Sequence, residues 1–233
     1  MTGVALALLM ISAWVGLLSF LLRARLSGGM VAVVPIGTIA MTILYAGMFV
    51  TAHDAIHGTV APGRPRLNDA IGWVCTLAFA LFDFRRLARA HRDHHRAPAS
   101  ADDPDFHPSG RPGFFAWYGG FLSRYVRVAQ VLGLALAFNV LNHGLGVPQA
   151  NLFAFWVGPS VLAATQLFYF GTYLPHREPA GGYRDAYRAE SVRLPRILSL
   201  LTCFHFGGFH REHHAQPHVA WWRLPYVEQS HAG

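Results

Sequence analysis

The chain contains no lysine: all 19 basic residues among its 233 are arginine. That bias carries no functional reading by itself. Charge of either sign is scarce, at 13% of residues, against about a quarter in a soluble domain. Hydrophobic residues make up 53%, a balance that fits a membrane protein and not a water-soluble one. Only two cysteines occur, Cys75 and Cys203, both inside apolar stretches, which excludes a disulfide framework and a cysteine-type metal site. No Pro/Gly-rich linker and no internal repeat divides the chain, so it reads as one domain over residues 1–233. A glycine-rich flavin or nicotinamide fingerprint is also missing, so electrons for any redox step must come from outside. The net charge of +7 does not indicate nucleic acid, because the arginines border apolar segments and form no DNA- or RNA-binding motif.

Histidine is what the chain has in excess. Nine of its 14 histidines are His53 and His57 in HDAIH, His91, His94 and His95 in HRDHH, His210, His213 and His214 in HREHH, and His176 in LPHRE. Side chains three and four residues apart on a helix share a face, so each box aims its imidazoles at one spot. One box alone would be a weak signal. Three boxes, two of them repeating H-x-x-H-H, point to a metal centre. Neutral imidazole suits zinc, iron, copper and nickel, whereas calcium and magnesium take oxygen donors. A structural zinc takes four ligands, so nine imidazoles are about twice too many for one ion and fit two.

Other polar residues near the boxes have two readings each. Asp54, Asp93 and Glu212 lie inside the boxes and either orient imidazoles through the second ring nitrogen or face solvent beside Arg92 and Arg211. His205, five residues before His210, is open between a hydrogen-bonding support, a pocket residue and a ligand. Asp102, Asp103 and Asp105 form an acidic patch that pairs with arginines or secures its loop. His107, His143, His218 and His231 have no partners at ligand spacing and are expected to be outside the site.

A bilayer core needs about 20 apolar helical residues. Four stretches qualify, roughly 3–22, 30–50, 127–146 and 151–173. The first has no basic leader and is too long for a signal-peptide core, so it reads as a retained span. Segments 70–84 and 197–209, of 15 and 13 residues, reach only about 20 Å as helix. If either crossed, boxes would be parted by the membrane and could not converge. Both are therefore expected to be interfacial or re-entrant, and aromatic-rich 112–126 to be interfacial as well. The fold class that follows is an all-α integral membrane protein with four transmembrane helices plus short interfacial or re-entrant helices. Its histidine-rich site and both termini share one side. Arg23 and Arg25 are nearly alone on the other, so the site side is cytoplasmic by the positive-inside rule.

The spans 3–22 and 30–50 carry no charge, which argues against a transporter, since that needs a polar path at midplane. An enzyme taking a lipid-soluble substrate sideways from the bilayer fits better. Zinc has no redox chemistry, while non-haem iron with open positions activates O2. A non-enzymatic zinc-binding membrane protein is the bland alternative.

Four spans with HxxxH, HxxHH and HxxHH boxes resemble the membrane fatty acid desaturase and hydroxylase superfamily. HDAIHG, HRDHHRAPAS with DDPDFH, FGTYLPHR, and CFHFGGFHREHH followed by WWRLP are similar, more narrowly, to the bacterial beta-carotene 4-ketolases. The resemblance implies a di-iron oxygenase holding two Fe2+ ions on His53, His57, His91, His94, His95, His176, His210, His213 and His214. It implies O2 as cosubstrate, a ferredoxin-type electron donor, and a carotenoid drawn from the lipids of a bacterial inner membrane. Two hydroxylations at C4 of a beta-ionone ring followed by dehydration would give a ketone, from beta-carotene through echinenone to canthaxanthin, and astaxanthin from zeaxanthin. An acyl-lipid desaturase or hydroxylase is the alternative within the superfamily.

Overall fold

The computed structural model describes residues 2–107, 109 and 113–227. Pro112 and His231, each part of an expectation above, lie outside them. Among the described residues every regular element is helical. The first is α1 (Thr2–Arg23), uncharged until its last residue, and the second is α2 (Val33–Ile56), uncharged until it reaches the first histidine box. They are followed by α3 (Pro65–Ala80), α4 (Phe84–Arg96), α5 (Phe114–Tyr125) and α6 (Val128–Asn139). A further helix of 28 residues, α7 (Gln149–His176), contains π turns at Phe153–Val157 and Tyr169–Tyr173. Short helices α8 (Arg196–Cys203) and α9 (His210–Ala215) complete the site end.

α1, α2 and α7 are each long and apolar enough to cross a membrane. Leu8, Leu9, Phe20, Ile36 and Ile39 point outward, as suits a surface solvated by acyl chains. The far ends of α1 and α7 are joined by Asn151, whose side-chain amide donates to the carbonyls of Leu21 and Ala24, both at 2.8 Å. The Leu21 carbonyl also accepts from the Ala24 amide at 3.2 Å, so Asn151 supplements the C-terminal turn of α1. At the other end Gly3 lies against Val60 and Trp222, so α1 begins beside the first box.

The third expected span, 127–146, is shorter than the sequence suggested. α6 continues by one π turn to Gly144, and it meets α5 at 85°, so it passes as a span only when joined to α5. The helix stops early because Gly146 takes a positive φ of 67° and Pro148 follows.

Segment 70–84 also differs in its bounds. The helix starts at Pro65, a residue suited to the first turn, and Asn68 locks the preceding loop by bonding both N and O of Ala61. α3 is 16 residues long, about 24 Å. Leu81 then takes φ 57°, Asp83 caps α4 by accepting from the Arg86 amide at 3.0 Å, and the two helices meet at 102°. Phe84 folds back onto Gly72, where any Cβ would overlap its ring. α3 thus packs along α2, and α4 turns away from the α3 direction at this bend.

The aromatics of α5, expected at an interface, divide between buried and exposed positions. Trp117 is fully buried against Phe168 and Tyr173 of α7, while Phe115 is exposed. Its indole donates to the Asp105 carbonyl at 2.7 Å, and Arg124 donates to the Pro104 carbonyl at 2.6 Å. α5 therefore secures the loop after the second box.

Candidate metal centre

Each box is presented by a helix end. α2 runs on past its apolar stretch to carry His53 and leaves His57 at its C-cap. α4 presents His91, His94 and His95 at spacings three, four and one, with Arg85, Arg89, Arg92 and Arg96 exposed. Before α9 the chain turns sharply, with Phe204 and His205 at φ 50° and 68°. Two consecutive left-handed non-glycine residues are unfavourable; here they redirect the backbone so that His210 enters the core.

The structure brings all nine histidines together and sorts them into two groups. His53, His57, His91, His95 and His213 form one; His94, His176, His210 and His214 form the other. Within each, one nitrogen per ring lies within 4.8 Å of all the rest. In the first group the Nε2 atoms of His57 and His91 are 2.9 Å apart, as are those of His213 and His95. In the second, His176 and His210 are 2.8 Å apart, His214 and His210 3.1 Å, and His94 and His214 3.2 Å.

Those distances fit a cation between the rings. Metal–imidazole bonds of about 2.0–2.1 Å place neighbouring ligand nitrogens about 3.0–3.4 Å apart. A neutral imidazole has one donor and one acceptor nitrogen, so four or five Nε2 atoms facing one point cannot all satisfy one another. His53 Nε2 is buried and has no hydrogen-bond partner, as expected of a nitrogen reserved for an ion. For two rings the outer nitrogen is already committed. His94 Nδ1 donates to Asp103, 2.9 Å from both carboxylate oxygens, and His176 Nδ1 donates to the Arg188 carbonyl at 2.9 Å. Both tautomers are thereby fixed with the Nε2 lone pair inward.

Electrostatics keep most of these rings neutral, the form that coordinates. Burial, with Arg92 adding to it, lowers His57 to about 4. Burial and the neighbouring His57 and His94 lower His95 to about 2. His210, His213 and His214 are lowered for the same reasons. His94 is the exception: burial opposes its protonation, but the Asp103 hydrogen bond and the charges of Asp105 and Asp103 outweigh that and raise it.

The remaining candidates separate. Asp54 is buried, accepts from the Trp221 amide at 3.1 Å and lies 3.4 Å from His53 Nδ1. Asp93 pairs with Arg96 at 2.9 Å, Glu212 accepts from the Ser191 hydroxyl, and His205 Nδ1 lies 3.2 Å from the Ser199 hydroxyl. None of these three joins either imidazole group. Asp103, read from sequence only as part of an acidic patch, is the carboxylate that holds His94. Its place nine residues after that histidine follows no helical period, so no local pattern signals it. The Arg188 carbonyl leaves no trace in a side-chain pattern at all.

An apolar cavity adjoins this site. Phe49, Phe79, Phe82, Phe121, Leu167 and Phe168 wall it, and His53, His91, His94 and His210 line it too.

The fatty acid desaturase family matches residues 28–149 and 124–232. The chain belongs to that family. Among individual relatives of this desaturase-family chain, a beta-carotene ketolase of Paracoccus sp. strain PC1 is 46% identical over 186 residues, 79% of this chain and 75% of that protein. A beta-carotene ketolase of Paracoccus sp. strain N81106 is 44% identical over 188 residues, 80% and 76% of the two chains. A zeaxanthin 4-ketolase of Chlamydomonas reinhardtii is 39% identical over 194 residues, covering 82% of this chain and 43% of that longer protein.

Proposed function

We propose that this chain is a carotenoid 4-ketolase, an oxygenase converting the C4 methylene of beta-ionone rings to a ketone. Beta-carotene would pass through echinenone to canthaxanthin, and zeaxanthin to astaxanthin. The observation that carries this reading is the aromatic-walled cavity ending on the imidazoles, a shape and chemistry suited to a stiff hydrocarbon ring. The ketolase relatives support the same substrate class.

Two iron ions fit the donor set. His53, His57, His91, His95 and His213 would hold one, and His94, His176, His210 and His214 the other. Iron bound there would supply the O2 activation that zinc cannot. Each hydroxylation takes one O2, two electrons and two protons and releases one water; the second yields a geminal diol that loses water to the ketone. The electrons would come from a ferredoxin-type donor. The cavity's aromatic wall excludes water and orients the ring, while Asp103 and the Arg188 carbonyl keep His94 and His176 in the ligating tautomer.

In this reading residues 1–233 form one membrane domain with α1, α2, α6 and α7 as its four crossings. The convergence of His57 and His91 at 2.9 Å supports a re-entrant α3, because the segment between them starts and ends at one place. A site and both termini on the cytoplasmic side of a bacterial inner membrane is supported by Arg23 and Arg25 at the opposite end.

The test is expression in cells that make beta-carotene, with iron and a working reductant. Echinenone and canthaxanthin are expected. Unchanged beta-carotene beside folded, iron-loaded protein overturns the reading; new double bonds in acyl lipids would assign the chain to desaturation instead.

A further inference from the structure

Two hydroxyl-bearing residues line the apolar cavity, Tyr125 and Thr172. The Tyr125 phenol is committed, since it donates to Asp105. Thr172 makes no side-chain hydrogen bond among the described residues. Six other helical threonines are committed: Thr38, Thr42, Thr51, Thr165 and Thr202 each donate to the carbonyl four residues back, at 2.8–2.9 Å, and Thr76 donates to the carbonyl three residues back at 3.3 Å. Thr172 sits in the π turn Tyr169–Tyr173, one turn before His176, where the widened backbone takes it out of that pattern. π turns inside α-helices recur at functional positions. Here the result is a residue of the pocket wall whose hydroxyl is uncommitted among the described residues, on the helix that delivers an imidazole.

The chemistry of the proposed reaction creates a need for such a group. A hydrocarbon ring enters with nothing to hydrogen-bond, but after one oxidation it carries a hydroxyl. A hydroxyl left unpaired in an apolar cavity is disfavoured, and the alcohol would leave before the same carbon could be oxidised again. We propose that the Thr172 hydroxyl hydrogen-bonds the alcohol oxygen of the half-oxidised ring and retains it, so that Thr172 decides ketone over alcohol as the product. This inference rests on the ketolase reading above.

The experiment measures the ratio of 4-hydroxy to 4-keto rings made from beta-carotene by wild type, Thr172→Val, Thr172→Ala and Thr172→Ser, alongside iron content and membrane yield. Valine keeps the branched shape and removes only the hydroxyl; alanine removes the hydroxyl without imposing a second methyl. Both are expected to raise the alcohol-to-ketone ratio about tenfold, equivalent to about 1.4 kcal/mol, and serine to restore it. An unmoved ratio in the iron-loaded valine and alanine variants, with wild type making ketone, overturns this inference alone. Loss of both products in those iron-loaded variants also overturns it, because the hydroxyl would then act before any alcohol exists. A wild type that makes neither alcohol nor ketone overturns the ketolase reading and this inference with it.

Discussion

The two imidazole groups are built from the same boxes but held in different ways. The four-histidine group is braced from outside: Asp103 fixes His94, the Arg188 carbonyl fixes His176, and Arg188 in turn donates to Ala99 at 3.1 Å, whose amide donates to Asp103 at 2.8 Å. One loop network thus orients two ligands. Among the described residues, the five-histidine group is met by one carboxylate, Asp54, at a long 3.4 Å from His53. It is held by packing instead, with the Phe206 ring 4.0 Å from His53 and 4.6 Å from His213, centroid to centroid. Oriented ligands resist loss of one partner through their network, whereas packed ligands depend on the rings themselves.

The largest effect should come from removing one ring of each group. His213→Ala and His214→Ala are each expected to reduce turnover at least about a hundredfold and to lower iron per chain, leaving membrane insertion intact because the apolar spans do not need the metal. Iron analysis and pigment profiling check this, and normal turnover in either variant would detach that group from the reaction. Next comes the bracing itself. Asp103→Asn is expected to weaken metal binding about 10–100-fold, the usual cost of losing a ligand's orienting carboxylate, and Asp54→Asn by less than that. Competition with a chelator measures both; equal losses would erase the distinction between braced and packed groups.

The smallest effect is a pH response of the metal-free protein. His57 and His95 are lowered to about 4 and about 2, so below about 6.5 the unfolded chain binds protons that the folded one refuses. Their contribution to stability therefore falls as pH drops from 6.5 toward those values. His94 is raised and works in the opposite sense, its contribution being complete below 6.5 and lost as pH rises through its folded value. With more rings lowered than raised, Tm should fall on acidification. Histidine titration by NMR should show His94 still protonated at a pH where His57 and His95 are neutral. A shared midpoint for all three would contradict the contrast.

Much of the site was legible because box spacing is a local property. His53 and His57, or His210, His213 and His214, share a face whatever the rest of the chain does. Carboxylate roles were not legible in the same way. Asp93 sits inside a box and turns out to pair with Arg96, while Asp103 lies in a loop and reaches His94. Sequence proximity does not report which way a side chain points once a loop folds back. The shortened segment 127–146 and the buried Trp117 show the same limit: hydropathy gives an apolar stretch, but Gly146, Pro148 and the neighbouring α7 decide where the helix ends and which aromatics face inward.

The sequence alone determined the residue types, the apolar stretches and the spacing of the histidine boxes, because periodicity and hydropathy need no long-range information. Only the tertiary structure decided that nine imidazoles divide five and four, that Asp103 and Arg188 brace the smaller group, and that Thr172 lines the cavity. Those outcomes depend on contacts between residues far apart in the chain, and such contacts are set by packing, not by local pattern.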